Sequence, residues 1–242
     1  MNRPSKLDEA LAELRRQVEA VVREEQLRDQ LTGLANGLAL SEWLQSATEN
    51  AERYWCALVE VDHFKRISDR FTYAVADGLL TRIAARLKAF NDYVTGTLPI
   101  RAHGDEFYLV GRLPSPDTTV IGEALDRVRD EIAGIRIATE AGDMRCTVSV
   151  GWMTADDGGD AVVTERAVMQ MVEAATAAAK MLGRNRVVRY SQEIAKKQRS
   201  SVRDDCAACL ASFTVEIPTD TVHRGPLCCP NCGAGRERPA PI

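Results

Sequence analysis

Adjacent acids, Asp105 and Glu106, sit in the run Ile100-Arg-Ala-His-Gly-Asp-Glu-Phe-Tyr-Leu-Val110, where two short apolar stretches flank a tight polar turn. A hairpin of this kind holds carboxylates on rigid backbone at a loop tip, within reach of a metal ion and a phosphate. One acidic turn between strands is ordinarily just solvated. A second acidic strand end changes that: Trp55-Cys-Ala-Leu-Val-Glu-Val-Asp62 carries Glu60 and Asp62 and runs straight into His63-Phe64-Lys65. Two carboxylate-bearing elements plus a lysine are the minimum kit for magnesium-assisted phosphoryl or nucleotidyl transfer.

A second group of residues suits a different metal. Cys206-Ala-Ala-Cys209 and Cys229-Pro-Asn-Cys232-Gly233 are two C-x-x-C pairs, nineteen residues apart. Four thiolates so spaced suit tetrahedral zinc in a closed, structural site, which leaves no open position for catalysis. Between them Ser212-Phe-Thr-Val-Glu-Ile217 alternates like a strand, as a zinc ribbon requires. Cys228 is an alternate ligand beside Cys229, and His223 reads as a surface residue. Zinc would supply folding energy that so short a segment cannot draw from its own core. The ribbon is expected either to dock a protein partner or to steady the rest of the chain. Cys56 and Cys146, in apolar runs, read as core packing.

The 242 residues allow one full domain plus smaller attachments. A net charge of -4 argues against a nucleic-acid binder working through a wholly basic surface. No apolar run approaches the roughly 20 residues that span a bilayer, and no cleavable signal is visible. A cytoplasmic protein is expected, in which seven cysteines suit metal binding better than disulfides.

Positioning these groups requires a scaffold. Leu7, Leu11, Leu14, Val18 and Val21 step by four and three, a coiled-coil seam of barely two heptads over residues 1–28. A lone helix of that length is marginal in water, so it is expected to pair with a second copy or to pack on the next domain. After Gly33 the pattern predicts a helix over 38–54, a strand over 55–61, a helix over 74–90 and the hairpin about Gly104. A helix over 117–133, a strand over 145–151, a helix over 162–182 and a strand over 186–190 follow. The fold class is α/β (α+β), an antiparallel or mixed sheet covered by helices on one side. The expected domains are the N-terminal helix to residue 28, a main domain over 29–190, a polar linker over 191–205 and the cysteine-rich ribbon over 206–242.

Six motifs in order carry a family resemblance: Asp29-x-Leu-Thr-Gly-Leu-x-Asn36, Glu60-Val-Asp-His-Phe-Lys65, Asp77, His103-Gly-Asp-Glu-Phe107, Thr147-Val-Ser-Val-Gly151 and Ala179-Lys180-x-x-Gly183-Arg184-Asn185-Arg186. Together they resemble the GGDEF domain of diguanylate cyclases over about residues 29–190. The resemblance implies a palm-like nucleotide-cyclase sheet and two subunits that each bind one GTP and join them as cyclic di-GMP. It implies Mg2+ or Mn2+ on Glu60, the Val61 carbonyl and Asp105, with Glu106 as a further catalytic acid. It also implies phosphate contacts from Lys65, Lys180, Arg184 and the backbone N–H groups of His63 and Phe64. Gly104 lies in the turn against the nucleotide, and Ser68 and Asp77 stand at the guanine-reading positions.

The chain departs from the family pattern in several places. Glu60 stands where Asp is usual, and its extra methylene moves the oxygens of a ligand to a geometrically demanding ion. His103 replaces the first Gly of the turn, adding bulk and discouraging positive φ. Ser68 replaces an Asn, Thr72-Tyr73 a Gly-His pair, Ala76 a Gly, Gly37 an Arg and Ala177 a common aromatic. Val94-Thr-Gly-Thr97 replaces the Arg-x-x-Asp of product inhibition. The expected function is therefore a nucleotidyl cyclase acting on GTP or another purine nucleotide as a homodimer. The alternative is a catalytically degenerate domain that senses nucleotide or scaffolds a signal, with the ribbon as its output. A nucleic-acid factor working through Arg224, Arg236 and Arg238 is the third reading, and the charge counts against it.

Overall fold

The protein is described by a computed structural model covering residues 6–113, 115, 117–139, 142–158 and 164–194, with strands Ser201–Asp205, Ser212–Glu216, Leu227–Cys228 and Gly235–Arg236 beyond. The four ribbon cysteines, Cys206, Cys209, Cys229 and Cys232, lie outside the described residues. Ser201–Asp205, in the run read as a linker, pairs antiparallel with Ser212–Glu216, part of the stretch read as a ribbon strand.

Helix α1 (Lys6–Gln26) leads through strand β1 (Ala35–Asn36) into helix α2 (Gly37–Glu49). Asn36 makes that junction. Its side-chain oxygen caps α2 by accepting from Leu38 N (3.0 Å) and Ala39 N (3.2 Å), while its amide donates back to Gln26 O at 2.8 Å. Strand β2 (Tyr54–Val61) is followed by helices α3 (Phe64–Arg70) and α4 (Tyr73–Ala89), then by strands β3 (Leu98–His103) and β4 (Glu106–Arg112). Helix α5 (Thr119–Ala133), the hairpin of β5 (Ile137–Thr139) and β6 (Gly142–Met144), strand β7 (Val148–Thr154), helix α6 (Glu165–Met181) and strand β8 (Val187–Arg189) complete the domain.

Six strands form one mixed sheet in the order β1-β3-β4-β2-β7-β8. β2 is central and antiparallel to both β4 and β7, whereas β1 and β8 pair parallel at the edges. Alternation along β2 sends Trp55, Ala57, Val59 and Val61 to one core, with Leu79, Ile83 and Leu87 of α4 and Leu125 and Val128 of α5. Tyr54, Cys56 and Leu58 go to the other, with Leu40 and Leu44 of α2 and Val168 and Val172 of α6. Helices therefore cover both faces, correcting the expectation of one. The near-continuous apolar run of β2 is the mark of a strand buried on both sides.

Among the described residues, β1, α3 and the β5–β6 hairpin had no sequence forecast. Helix α3 is only seven residues and largely charged, and Ile67 alone is buried. The β5–β6 hairpin is also new. β7 starts at Val148, later than expected, because its register is set by pairing Val61 with Val148 and Trp55 with Thr154. Gly151 in that strand lies under α6, where an added Cβ would stand 2.2 Å from Thr176 N. Only glycine allows that approach. Cys56 and Cys146 are buried, as expected of core cysteines, and burial pushes the Cys146 thiol up to about 11.

Candidate active site

Glu60 occupies the last turn of the pleat in β2, directly opposite Glu106 of β4 and Ser149 of β7. Like charges opposed on neighbouring strands repel, and something must offset them. Here it is Lys180, near the end of α6, whose Nζ forms an ion pair with Glu60 Oε1. Glu60 falls on the strand face that carries Cys56 and Leu58, the face that α6 covers, so the residue that reaches it comes from that helix.

The turn between β3 and β4 brings Asp105 beside this pair. Its carbonyl accepts from Val61 N at 3.4 Å, tying the turn to the end of β2. Half-burial raises the Asp105 carboxyl above the usual range, and the Glu60 charge raises it further, with Lys180 and His103 acting in the opposite sense. Glu106 is likewise raised, first by burial and then by Glu60 and Asp105, with His103 opposing. Its Oε2 lies 3.4 Å from His103 Nε2. The imidazole is 74% exposed. The positive φ of the turn falls on Gly104 (φ 51) and not on His103. The bulk and φ penalties expected of His103 are therefore not incurred.

The loop after β2 is bent by His63, held left-handed at φ 58, ψ 28, immediately before α3. A left-handed residue followed by helical ones turns successive N–H groups to one side, the nest that recurs in phosphate sites. The His63 carbonyl is occupied by Arg66 N (2.9 Å) and Ile67 N (3.3 Å). Lys65 is exposed on α3, and Asp77 is exposed on the first turns of α4. The Ser68 hydroxyl donates to Lys65 O at 2.9 Å. The structure thus gathers Glu60, Val61, Asp105, Glu106 and Lys180 by direct contact or pairing. Ser68 and Asp77 stand on the two helices that follow.

Arg184 lies in a bend of three consecutive positive-φ residues, Gly183 (φ 111), Arg184 (φ 63) and Asn185 (φ 46). Two of these are not glycine and must be held. Asp62 holds them. It is 4% exposed and accepts from Thr147 Oγ1 (2.6 Å), Ser149 Oγ (2.7 Å) and Asn185 N (3.1 Å). Asp62 had been noted only as one more acid at the strand end. Its polarity beside the hydroxyl motif Thr147-Val-Ser149 was the available clue.

Arg101 of β3 was missed altogether. Its guanidinium donates to Gly104 O from Nε (3.0 Å) and from a terminal nitrogen (2.8 Å), and to both oxygens of Asp29 at 3.1 Å. Asp29 also accepts from Thr32 N (2.9 Å) and Thr32 Oγ1 (2.6 Å). Burial would raise its carboxyl, yet Thr32 and Arg101 together hold it below the usual range. The Asp29-x-Leu-Thr motif thus buttresses the acidic turn through Arg101.

Among the described residues no group of three or more His, Cys, Asp or Glu side chains is arranged to hold a metal ion. Glu60 and Asp105 supply two hard carboxylates, and Val61 offers a backbone carbonyl between them. Two hard carboxylates, that of Asp105 raised by half-burial and then by the charge of Glu60, are a donor set suited to magnesium or manganese.

A mixed sheet with acids at a hairpin tip, an acid on the neighbouring central strand and a lysine from the covering helix defines a nucleotide-cyclase-type domain. The sequence profile described as "Diguanylate cyclase, GGDEF domain" matches residues 26–186, and the chain belongs to this family. It is 32% identical over 172 residues to the diguanylate cyclase DgcP of Pseudomonas aeruginosa, covering 68% of this chain and 24% of that protein. It is 31% identical over 169 residues to the response regulator PleD of Caulobacter vibrioides, covering 66% and 35%. The chain thus spans about a quarter to a third of these relatives. The crystal structure of the coiled coil and GGDEF domain of DgcB from Caulobacter crescentus, in complex with c-di-GMP, superposes with a TM-score of 0.63 at 25% identity, covering 76% of this chain and 97% of that one. The diguanylate cyclase SiaD with its activator SiaC, from Pseudomonas aeruginosa, gives 0.62 at 27% identity, covering 76% and 69%. Among the described residues no helix is long and apolar enough to cross a membrane.

Proposed function

We propose that this chain is a GGDEF-type nucleotidyl cyclase that joins two GTP molecules, or another purine nucleoside triphosphate, into a cyclic dinucleotide. The observation that carries this reading is the convergence of Glu60, Asp105 and Glu106 with Lys180 beside the left-handed loop at His63. Glu60, Asp105 and the Val61 carbonyl would hold Mg2+ or Mn2+, which supplies charge neutralisation on the triphosphate and acidifies the attacking 3′-hydroxyl. Lys180, Arg184 and Lys65 would neutralise phosphate oxygens, and the N–H groups of the His63–Phe64 loop would donate to them. Glu106, raised above the usual carboxylate range first by burial, would serve as a further acid in the site. Asp77 would pair with the base edge, and Ser68, its hydroxyl proton engaged by Lys65 O, offers an acceptor there.

Each domain carries one such site, and joining two nucleotides requires two sites face to face. The chain would therefore act as a homodimer, with α1 setting the geometry. Its Leu11, Leu14, Val18 and Val21 are each about half exposed or more, a seam with room for a second copy. The zinc set of Cys206, Cys209, Cys229 and Cys232 is proposed from spacing alone, with a protein partner as its ligand. Metal analysis of the purified chain, expecting one zinc per chain, tests it.

The experiment for the main reading incubates the full chain with Mg2+ or Mn2+ and labelled GTP or ATP and identifies products by mass. A cyclic dinucleotide that disappears in Asp105→Ala is the expected result. Nucleotide binding without turnover would instead favour the degenerate signalling domain. One observation favours that second reading: the Lys180–Glu60 ion pair occupies a carboxylate that a metal would need.

A further inference from the structure

Helix α6 ends in a regular cap whose left-handed turn then runs on. Gly183 N donates to Lys180 O (3.3 Å) and Arg184 N to Ala179 O (3.0 Å), the paired bonds of a Schellman motif with Gly183 as its left-handed residue. That motif needs one such residue. Here Arg184 (φ 63) and Asn185 (φ 46) follow in the same region, where a Cβ makes the conformation costly. Partners outside the cap must keep them there.

Those partners converge on a single peptide group. The Arg184 carbonyl and the Asn185 N–H are its two ends. The N–H donates to Asp62 at 3.1 Å, and the carbonyl accepts from Arg186 Nε at 3.1 Å. Held at both ends, the peptide plane cannot turn over. Arg186 reaches back from a fixed base, because its own carbonyl accepts from Val150 N of β7 at 2.9 Å. Its guanidinium lies across the bend: a Cβ added at Gly183 would stand 3.3 Å from one of its terminal nitrogens.

We propose that Arg186 is a positioning residue for Arg184, fixing the left-handed backbone from which that side chain reaches the triphosphate. This rests on the reading of Arg184 as a phosphate contact. The group that acts is the Nε–H donor, not the charge. Without it the peptide is held at one end only, and the Arg184 backbone is free to relax to a right-handed conformation that sends its side chain elsewhere.

The test measures, by calorimetry with Mg2+, the affinity of the full chain for α,β-methylene GTP, whose bridge between the first two phosphorus atoms resists cleavage. Arg184→Ala should weaken binding. Arg186→Ala should weaken it about fivefold, the scale of one hydrogen bond. Arg186 is exposed, so its variants should melt with the wild type. Arg186→Gln, whose amide nitrogen stands as many bonds from Cα as the arginine Nε, should stay within about twofold of wild type. Arg186→Ala should add nothing in an Arg184→Ala background. In the nucleotide-free protein, the Asn185 N–H should exchange with solvent faster in Arg186→Ala and at the wild-type rate in Arg186→Gln.

Unchanged affinity in Arg186→Ala overturns the proposal, as does Asn185 exchange indifferent to Arg186. So does Arg186→Gln binding as poorly as Arg186→Ala, or additive effects of the two alanine variants, because either makes the guanidinium a phosphate contact in its own right. Full affinity in Arg184→Ala overturns it through the reading it rests on. The exchange rates, which need no nucleotide, tell that failure from failure of the clamp.

Discussion

The Asp62 carboxylate accepts a hydrogen bond from the backbone N–H of Asn185 at 3.1 Å, joining the end of β2 to a bend 123 residues later. That contact fixes the strained backbone that presents Arg184. The far side of Asn185 is held too: its Oδ1 accepts from Arg129 at 2.9 Å, and Arg129 pairs with Asp126 and Asp130 of α5. Asp62→Ala would strand an N–H and two hydroxyls in a buried pocket, at roughly 1 kcal/mol or more for each. A loss of about 3 kcal/mol in denaturant unfolding is expected, together with weaker triphosphate binding. Asp62→Asn, which keeps the volume and one acceptor, should lose less.

Arg101 links Asp29 to Gly104 O, so its role is to hold the acidic turn in place. Arg101→Ala leaves the Asp29 carboxylate with its Thr32 hydrogen bonds but no cation, and should cost about 1 kcal/mol or more. Because the turn positions Asp105, cyclase turnover should fall by more than stability alone explains. Arg101→Lys, which cannot bridge two acceptors with a fork, should restore little of it.

The charge of Glu60 contributes to raising Asp105, and Lys180 opposes it. Glu60→Gln should therefore lower the Asp105 titration midpoint, and Lys180→Gln should raise it, both readable by carboxyl carbon NMR. A folded-state pKa above the unfolded value means the unfolded chain gives up this proton first. Ionised Asp105 thus disfavours the fold at neutral pH, and the penalty is relieved as pH falls through the raised midpoint. Metal-free Asp105→Asn should accordingly unfold at a higher temperature at neutral pH, with the gain disappearing in acid. Protons also compete with a bound cation, so the Mg2+ requirement should rise as pH falls.

Gly151→Ala should cost about 2 kcal/mol or more, since the new methyl meets the α6 backbone at Thr176 N and no side chain can yield. Thermal unfolding reads this directly.

Leu14 and Val18 are 56% and 54% exposed on α1. Leu14→Glu with Val18→Glu should leave the fold intact and shift the chain toward monomer in analytical ultracentrifugation. Turnover should fall with it, recoverable at higher protein concentration.

How the site could be foreseen differs from residue to residue. Glu60, Asp105 and Glu106 were legible because a strand end and a hairpin tip declare themselves through local pattern: apolar alternation stops and acids begin, whereas Lys180, inside α6, was marked only by the family resemblance. Trp55 to Val61 read as a strand for the same reason, and its burial on both faces is visible in the lack of polar alternation. Helix α3 was not legible, because seven mostly charged residues have no apolar period and depend on Ile67 meeting a core built from elsewhere.

Residue type and spacing along the chain were enough for the sheet, its acidic turn and the family of the domain, since those follow from local periodicity and motif order. Contacts between distant segments are another matter. Whether Asp62 is a ligand or a clamp, why Arg101 stands in β3 and which face of the sheet Glu60 takes all depend on packing. Hydrogen bonds and charge pairs act over a few ångströms in space, and separation along the chain places no limit on which residues come that close.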